Sequence, residues 1–326
     1  MVSVIPQRTK RRHLLHTGLF AAGALGAAHL GIRPARAAAK VVHIGTQKGV
    51  TLYILRDRKT LQAALAPLGY DVVYTEFPGG PQLLEALNVG AIDFGTTGEA
   101  PPVFAQAGGA PLVYVGYEPS APKGEAIIVP QHSPIQTVAQ LKGKTIALNK
   151  GSNVHYLLVR ALQKAGLRYS DIQPSYLAPA DARAAFVAGA IDAWVIWDPY
   201  LAAAVDATHA RVLTDGTGLV ANREFLLASR TLIKAAPKVV TTILTELDKV
   251  DRWAEANQAA AAAELAPGMG LPPHIVEIFL SRTGFGVHPM TPDVAADQQK
   301  IADTFYDLKL IPRHLDIASA TWTPPA

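Results

Sequence analysis

Short apolar runs alternate with stretches of helical period along most of the chain, and the alternation occurs twice. Residues 41–45 and 145–148 are apolar runs of strand length, each followed by a polar turn, Gln47-Lys48-Gly49 and Asn149-Lys150-Gly151. Helical spacing follows over residues 52–65 and 154–165, closing at the glycines of Pro67-Leu68-Gly69 and Ala165-Gly166. Second strands are predicted over 71–75 and 173–177, and each leads through a proline turn into a helix, over 82–88 and 181–188. Gly90-Ala91-Ile92-Asp93 then recurs, 99 residues on, as Gly189-Ala190-Ile191-Asp192, each copy entering a third strand.

A β-α-β-α-β succession with short connections requires crossovers, and crossovers make a parallel sheet with helices on its faces. Two copies predict an α/β protein of two parallel-core domains. After about residue 222 the pattern is helical, over 237–265, 273–281 and 293–308, with little strand character. That segment is read as returning to complete the first domain. The expected domains are therefore 40–127 plus 222–326, and 128–221. Ligands of such sheets bind beyond the carboxyl ends of the strands, so two facing sheets place a ligand cleft between them.

Composition changes this picture mainly at the start of the chain. Hydrophobic residues make up 49% of the sequence and charged residues 17%, which suits a packed fold. The net charge of +4 is local: Arg8, Lys10, Arg11, Arg12, Arg33 and Arg36 precede Ala39, where there is no acid. Setting those six aside from 30 basic residues leaves 24, against 26 acidic, so a nucleic-acid partner is not expected. The basic stretch, an apolar span over 14–32 and the small residues around Ala35 and Ala37 read as a signal peptide over 1–39. The pair Arg11-Arg12 fits the twin-arginine type. The expected location is the periplasm, as a soluble monomer. Cysteine is absent, which excludes disulfides, a thiolate nucleophile and a lipidated N-terminal cysteine.

The candidate chemistry lies in six strand-to-helix turns: residues 47–49, 77–81, 96–99, 151–153, 178–181 and 197–199. Turns that open helices present free N–H groups and a positive dipole end, which together receive an anion. Gln47, Thr97, Ser152 and Asn153 carry donor side chains, while Gly98, Asn153 and Val154 offer backbone N–H. Such donors hold an anion without a dedicated basic residue. Thr97 and Ser152 also suit helix caps. Trp197 is read as a cleft wall. Glu99 is read as capping its own helix, and Asp198 or Glu125 as places for a ligand amino group. His43, His132 and His155 lack metal-ligand spacing, no nucleophile and base pair is evident, and no cofactor or catalytic residue is expected.

At these motifs the chain closely resembles the aliphatic sulfonate-binding proteins of ABC importers, within the wider sulfonate, taurine and nitrate-binding group. The resemblance runs from about 41 to 316 and is carried by Glu76-Phe77-Pro78, the stretch from Gln82 to Gly90, Phe94-Gly95 through Thr97-Gly98 to Pro101-Pro102, residues 112–116, 171–174 and 179–186, and Trp197-Asp198-Pro199-Tyr200. It implies a bilobed periplasmic-binding-protein fold of type II, capture of an alkanesulfonate, and delivery to an ABC permease driven by a cytoplasmic ATPase. By matching position it implies ligand contacts at Gln47, Thr97, Gly98, Glu99, Ser152, Asn153, Val154 and Trp197. Asn153 and Val154 stand where relatives often carry serine, and Glu99 where aspartate is common, so tail preference stays open. Taurine, nitrate or pyrimidine-precursor binding are alternatives on the same fold. A sulfinate-processing enzyme lacks its cysteine here, and a sensor role lacks a fused signalling domain.

Overall fold

The computed structural model describes residues 39–48 and 51–324. The expected signal peptide, except for Ala39, and Gly49 of the first turn lie outside the described residues. Among the described residues, ten strands and twelve α-helices are arranged as β1 (Lys40–Gln47), α1 (Leu52–Arg58), α2 (Thr60–Leu65), β2 (Tyr70–Phe77), α3 (Gly80–Asn88), β3 (Phe94–Gly98), α4 (Ala100–Ala107), β4 (Leu112–Glu118), β5 (Glu125–Val129), β6 (Thr145–Leu148), α5 (Asn153–Lys164), β7 (Gln173–Tyr176), α6 (Pro179–Val187), β8 (Ala193–Trp197), α7 (Tyr200–Thr208), β9 (Arg211–Asp215), β10 (Glu224–Ser229), α8 (Arg230–Ala235), α9 (Pro237–Ala256), α10 (Gln258–Met269), α11 (Pro273–Leu280) and α12 (Pro292–Asp307). No described helix is long and apolar enough to cross a membrane.

Two five-stranded sheets form, ordered β2-β1-β3-β10-β4 and β7-β6-β8-β5-β9. The orders are the same once β1 to β5 are matched with β6 to β10, except that each unit lends its fifth strand to the other unit's sheet. That strand runs antiparallel between its neighbours, β10 against β3 and β4, β5 against β8 and β9. Both lent strands carry a register irregularity, at Leu226/Leu227 and at Ile127/Ile128, 99 residues apart.

Four expectations are corrected here. The segment after 222 contains a strand, β10, where little strand character was read. The sheets are not purely parallel, because a strand arriving from the opposite lobe enters at the carboxyl edge and runs backwards. The chain leaves the first sheet after Glu118 and joins the second at Glu125, so β5 belongs wholly to the second sheet, while the expected boundary at 127/128 cuts through it. It returns between Asp215 and Glu224. The predicted helix over 52–65 is broken at Lys59, whose φ of 56° is left-handed.

The repeated Gly-Ala-Ile-Asp has a physical cause. Gly90 and Gly189 take φ of 74° and 69°, which end α3 and α6, and the next N–H returns to the carbonyls of Ala86 and Ala185. Ile92 and Ile191 are buried. Asp93 accepts from His43 N at 2.9 Å and Asp192 from Thr145 N at 2.8 Å, tying each third strand to the first.

Both faces of each sheet are covered, which explains why central strands are apolar at successive positions. In β10, Leu226 and Ala228 face a core built with α1, α2, α9 and α10, whereas Phe225 and Leu227 face α3, α4 and α12. In β5, Ile127 and Val129 pack with α5, and Ala126 and Ile128 with α6 and α7.

Candidate functional site

The carboxyl ends of the two sheets face one cavity, of about 110 Å³. A cavity of about 150 Å³ takes a benzene-sized molecule, so this one matches a small head group with a short tail. Its rim is made of helix beginnings. Thr51 precedes α1, Gly80 opens α3, Gly98 and Pro101 flank the start of α4, Ser152 and Asn153 start α5, and Asp198 precedes α7.

Of the residues read from sequence, Gln47, Gly98, Ser152, Asn153, Trp197 and Asp198 line this cavity. Gln47 Nε2 donates to the Thr96 carbonyl at 2.9 Å, which fixes its amide at the end of β1. Asn153 ties its own lobe to the connection between the lobes: its Nδ2 donates to Glu125 Oε2 of β5 at 2.6 Å and to Asn222 Oδ1, just before β10, at 2.9 Å. Gly98 is a glycine for a steric reason. A Cβ there would lie 2.9 Å from Asn153 Cγ, so any side chain would push the two halves apart. Trp197 packs edge-on against Tyr200 at 6.1 Å between ring centres and forms a wall.

Thr97, Glu99 and Val154 do not line the cavity. Alternation along β3 turns Thr97 inward, fully buried, with its hydroxyl donating to the Gly98 carbonyl at 3.0 Å. Val154 joins the core beneath α5, as its position one residue past the helix start requires. Glu99 occupies the cap position of α4, yet its side chain does not cap that helix. It turns away from the cavity and accepts from Arg223 N at 3.3 Å, and burial pushes its carboxyl up to about 7 against the pull of that bond. Ser152 likewise does not cap α5, its hydroxyl donating to the Asn149 carbonyl at 2.8 Å. The turn over 178–181 does not line the cavity either. His155 is fully buried, accepts from Gly151 N at 3.2 Å, and is pushed down to about 4 by burial and by nearby Lys150.

Several lining residues were not read from the sequence. Arg282, just past α11, pairs with Asp198 at 3.1 Å; with Lys48, whose turn over 47–49 was read as part of the site, it puts two basic residues at a site that was expected to need none. Burial raises Asp198 to about 6 while Arg282 draws it down. Leu265, Phe279 and Leu280 supply apolar surface. Glu118 and Glu224 supply carboxyls. Phe279 lies in α11 and Arg282 just after it, outside any strand-to-helix turn, and neither gave a local signal. Glu224 did carry one, since it stands 99 residues after Glu125, the same spacing as the tetrapeptide repeat. Among the described residues no cluster of three or more His, Asp or Glu is placed to hold a metal ion.

Two α/β lobes with exchanged strands, closing helix N-termini on a small cavity, define a solute-binding protein of the periplasmic-binding fold, type II. A model of the NMT1/THI5-like family matches residues 68–261. An Escherichia coli (strain K12) protein named "Putative aliphatic sulfonates-binding protein" is 45% identical over 291 residues, 89% of this chain and 91% of that protein. The structure of the alkanesulfonate-binding protein SsuA from Xanthomonas axonopodis pv. citri, bound to MOPS, superposes with a TM-score of 0.84 at 44% identity, covering 88% of this chain and 99% of that one. The periplasmic aliphatic sulphonate binding protein SsuA from Escherichia coli gives a TM-score of 0.80 at 44% identity, over 88% and 93% of the two chains. The chain belongs to the family of the aliphatic sulfonate-binding proteins, whose members named here are binding proteins and not enzymes.

Proposed function

We propose that this protein is the solute-binding component of an ABC importer and captures an aliphatic sulfonate in the cavity between its lobes. The observation that carries the reading is the convergence of helix beginnings on a cavity that also has an apolar wall. Ser152, Asn153 and Gly98 provide N–H groups and positive dipole ends for a sulfonate head group, which stays ionised at every physiological pH. Trp197, Leu265, Phe279 and Leu280 offer the tail a dry surface. The binding of MOPS, itself a sulfonate, by the Xanthomonas relative supports the same class of ligand. Gln47, Asp198 and Arg282 complete the set of contacts, while Thr97, Glu99 and Val154, expected as contacts from the sequence, act as support behind it.

The two lobes, 40–118 with the segment from 224 onward and 125–215, move as domains that close on the ligand, with 119–124 and 216–223 as hinges. Residues 1–39 direct export to the periplasm, where the mature monomer hands its ligand to a permease and cytoplasmic ATPase. Calorimetric titration with ethanesulfonate, longer alkanesulfonates, taurine and nitrate tests the assignment. Alkanesulfonates are expected to bind tightest, and tighter binding of nitrate would overturn it.

A further inference from the structure

The carboxyl edge of the first sheet holds a row of three cavity-lining residues on adjacent strands. Glu224, which begins β10, is paired in register with Gly98 on one side and with Glu118, the last residue of β4, on the other. Two carboxylates directly opposite each other on one face of a sheet repel. Among the described residues neither glutamate has a salt-bridge partner, and the cavity's two cations are engaged elsewhere, Arg282 with Asp198 and Lys48 at the Met269 carbonyl. Glu118 is 7% exposed, and Glu224 Oε1 is enclosed without a hydrogen-bond partner.

Arg223, the neighbour of Glu224 in sequence, is likewise engaged, with Asp297 at 3.2 Å, and several acids stand around the pair. Asp251 of α9 is fully buried behind Glu118, Glu125 of β5 lies across the cleft on Asn153, Asp198 lines the same cavity, and Glu99 follows Gly98. Burial, then Asp251 and Glu224, hold Glu118 well above the usual carboxylate range, and burial pushes Glu224 up to about 8. An ionised acidic wall would oppose an anionic ligand. A protonated carboxyl does the reverse, because its O–H is a donor.

We propose that Glu118 and Glu224 form a proton-holding pair that donates an O–H to the anionic head group of the ligand, so that capture depends on the proton kept there. The proposal rests on the sulfonate reading above. It adds two specificity-determining residues and a pH range over which the site works.

The test is calorimetry of the whole protein with ethanesulfonate, which has no group titrating between pH 6 and 9, in paired buffers of different ionisation heat. The dissociation constant is expected to stay level to about pH 7 and then rise, approaching about tenfold per pH unit, as binding begins to take up a proton. Glu224→Gln keeps an N–H donor and cannot ionise, so its dissociation constant should rise less steeply above pH 7 than that of wild type. Glu118→Gln is the second variant, and with the wild-type proton count it decides the matter if Glu224→Gln fails to fold. A wild-type affinity that is constant from pH 6 to 9, or a slope unchanged in both variants, overturns the proton pair alone. So does an affinity for taurine that exceeds that of ethanesulfonate and grows with pH, which would make the pair an ionised receptor for an ammonium group. Absence of ethanesulfonate binding at every pH overturns the sulfonate reading and the pair with it.

Discussion

The third strands of the two sheets, β3 and β8, occupy equivalent places yet end differently at the cavity. Gly98 and Trp197 stand 99 residues apart, each opposite the glutamate that begins the lent strand, Glu224 and Glu125. One sheet contributes bare backbone, against which Asn153 of the other half packs; the second contributes the largest side chain available. The following acids diverge as well. Asp198 faces the cavity, pairs with Arg282 and accepts from Ala202 N at 2.9 Å at the start of α7, whereas Glu99 turns back toward Arg223. The two sheets thus share a frame, and one residue position in each converts the shared frame into contact surface on one side and wall on the other.

Imposing one half's residue on the other should break this division most severely. Gly98→Trp places an indole where even a Cβ meets Asn153, so ligand affinity should fall at least about 100-fold, roughly 3 kcal/mol. Small-angle scattering should show lobes that stay apart at saturating ligand. A compact, tight-binding variant would mean that the contact of Gly98 with Asn153 is not needed for closure.

The shared frame predicts equality elsewhere. Asp93→Ala and Asp192→Ala each remove a charge-assisted bond between a first and a third strand, and each should cost about 1–3 kcal/mol in urea denaturation. Costs differing by much more than about 1 kcal/mol would show that the two frames are not equivalent in energy, whatever their topology.

Glu99 and Asp198 extend the comparison to pH. Both carboxyls hold their protons more tightly in the folded chain than in the unfolded one, up to about 7 and about 6. The folded state therefore binds more protons between the ordinary carboxylate range and those values, and stability of the ligand-free protein should fall as pH rises through that window, by on the order of 1–3 kcal/mol for each group. Glu99→Gln should flatten the fall between about pH 5 and 7, as read by denaturation at several pH values. An unchanged slope would remove Glu99 as a source.

Thr97→Val should have the smallest effect. Its counterpart is Ile196, and its side chain is buried away from the cavity, so the dissociation constant should move by less than about threefold, or roughly 0.6 kcal/mol. A larger loss would place the Thr97 hydroxyl on the ligand.

Much of this frame is legible in the sequence because local signals agree with it. Glycines stop the helices, short apolar runs make the strands, and an interval of 99 residues betrays two units. The lent strand β10 was missed because a four-residue apolar run, Phe225 to Ala228, beside helical segments reads equally as strand or buried helix. Its antiparallel course depends on a sheet assembled from a distant part of the chain, which no local pattern records. The site follows the same division. Turns that open helices are readable, and they located Gly98, Ser152, Asn153, Trp197 and Asp198. Side-chain direction within those turns is set by packing, which is why Thr97 and Val154 point into the core. Arg282 arrives from the turn after α11, far along the chain, and its partner Asp198 gave no sign of it.

The exchange of fifth strands sets an order of assembly. In the first sheet β10 lies between β3 and β4, so until residue 229 has been synthesised the edge strand β4 has no partner in its own sheet. The amino-terminal half, although it contains four of the five strands of that sheet, cannot complete it on the ribosome. Its pairing partners are separated by more than 100 residues, a long-range contact that slows folding and leaves strand edges open in the meantime. An isolated amino-terminal half should therefore behave as an aggregation-prone fragment, and the sheet becomes whole only when the second unit returns the strand that it received the equivalent of from the first.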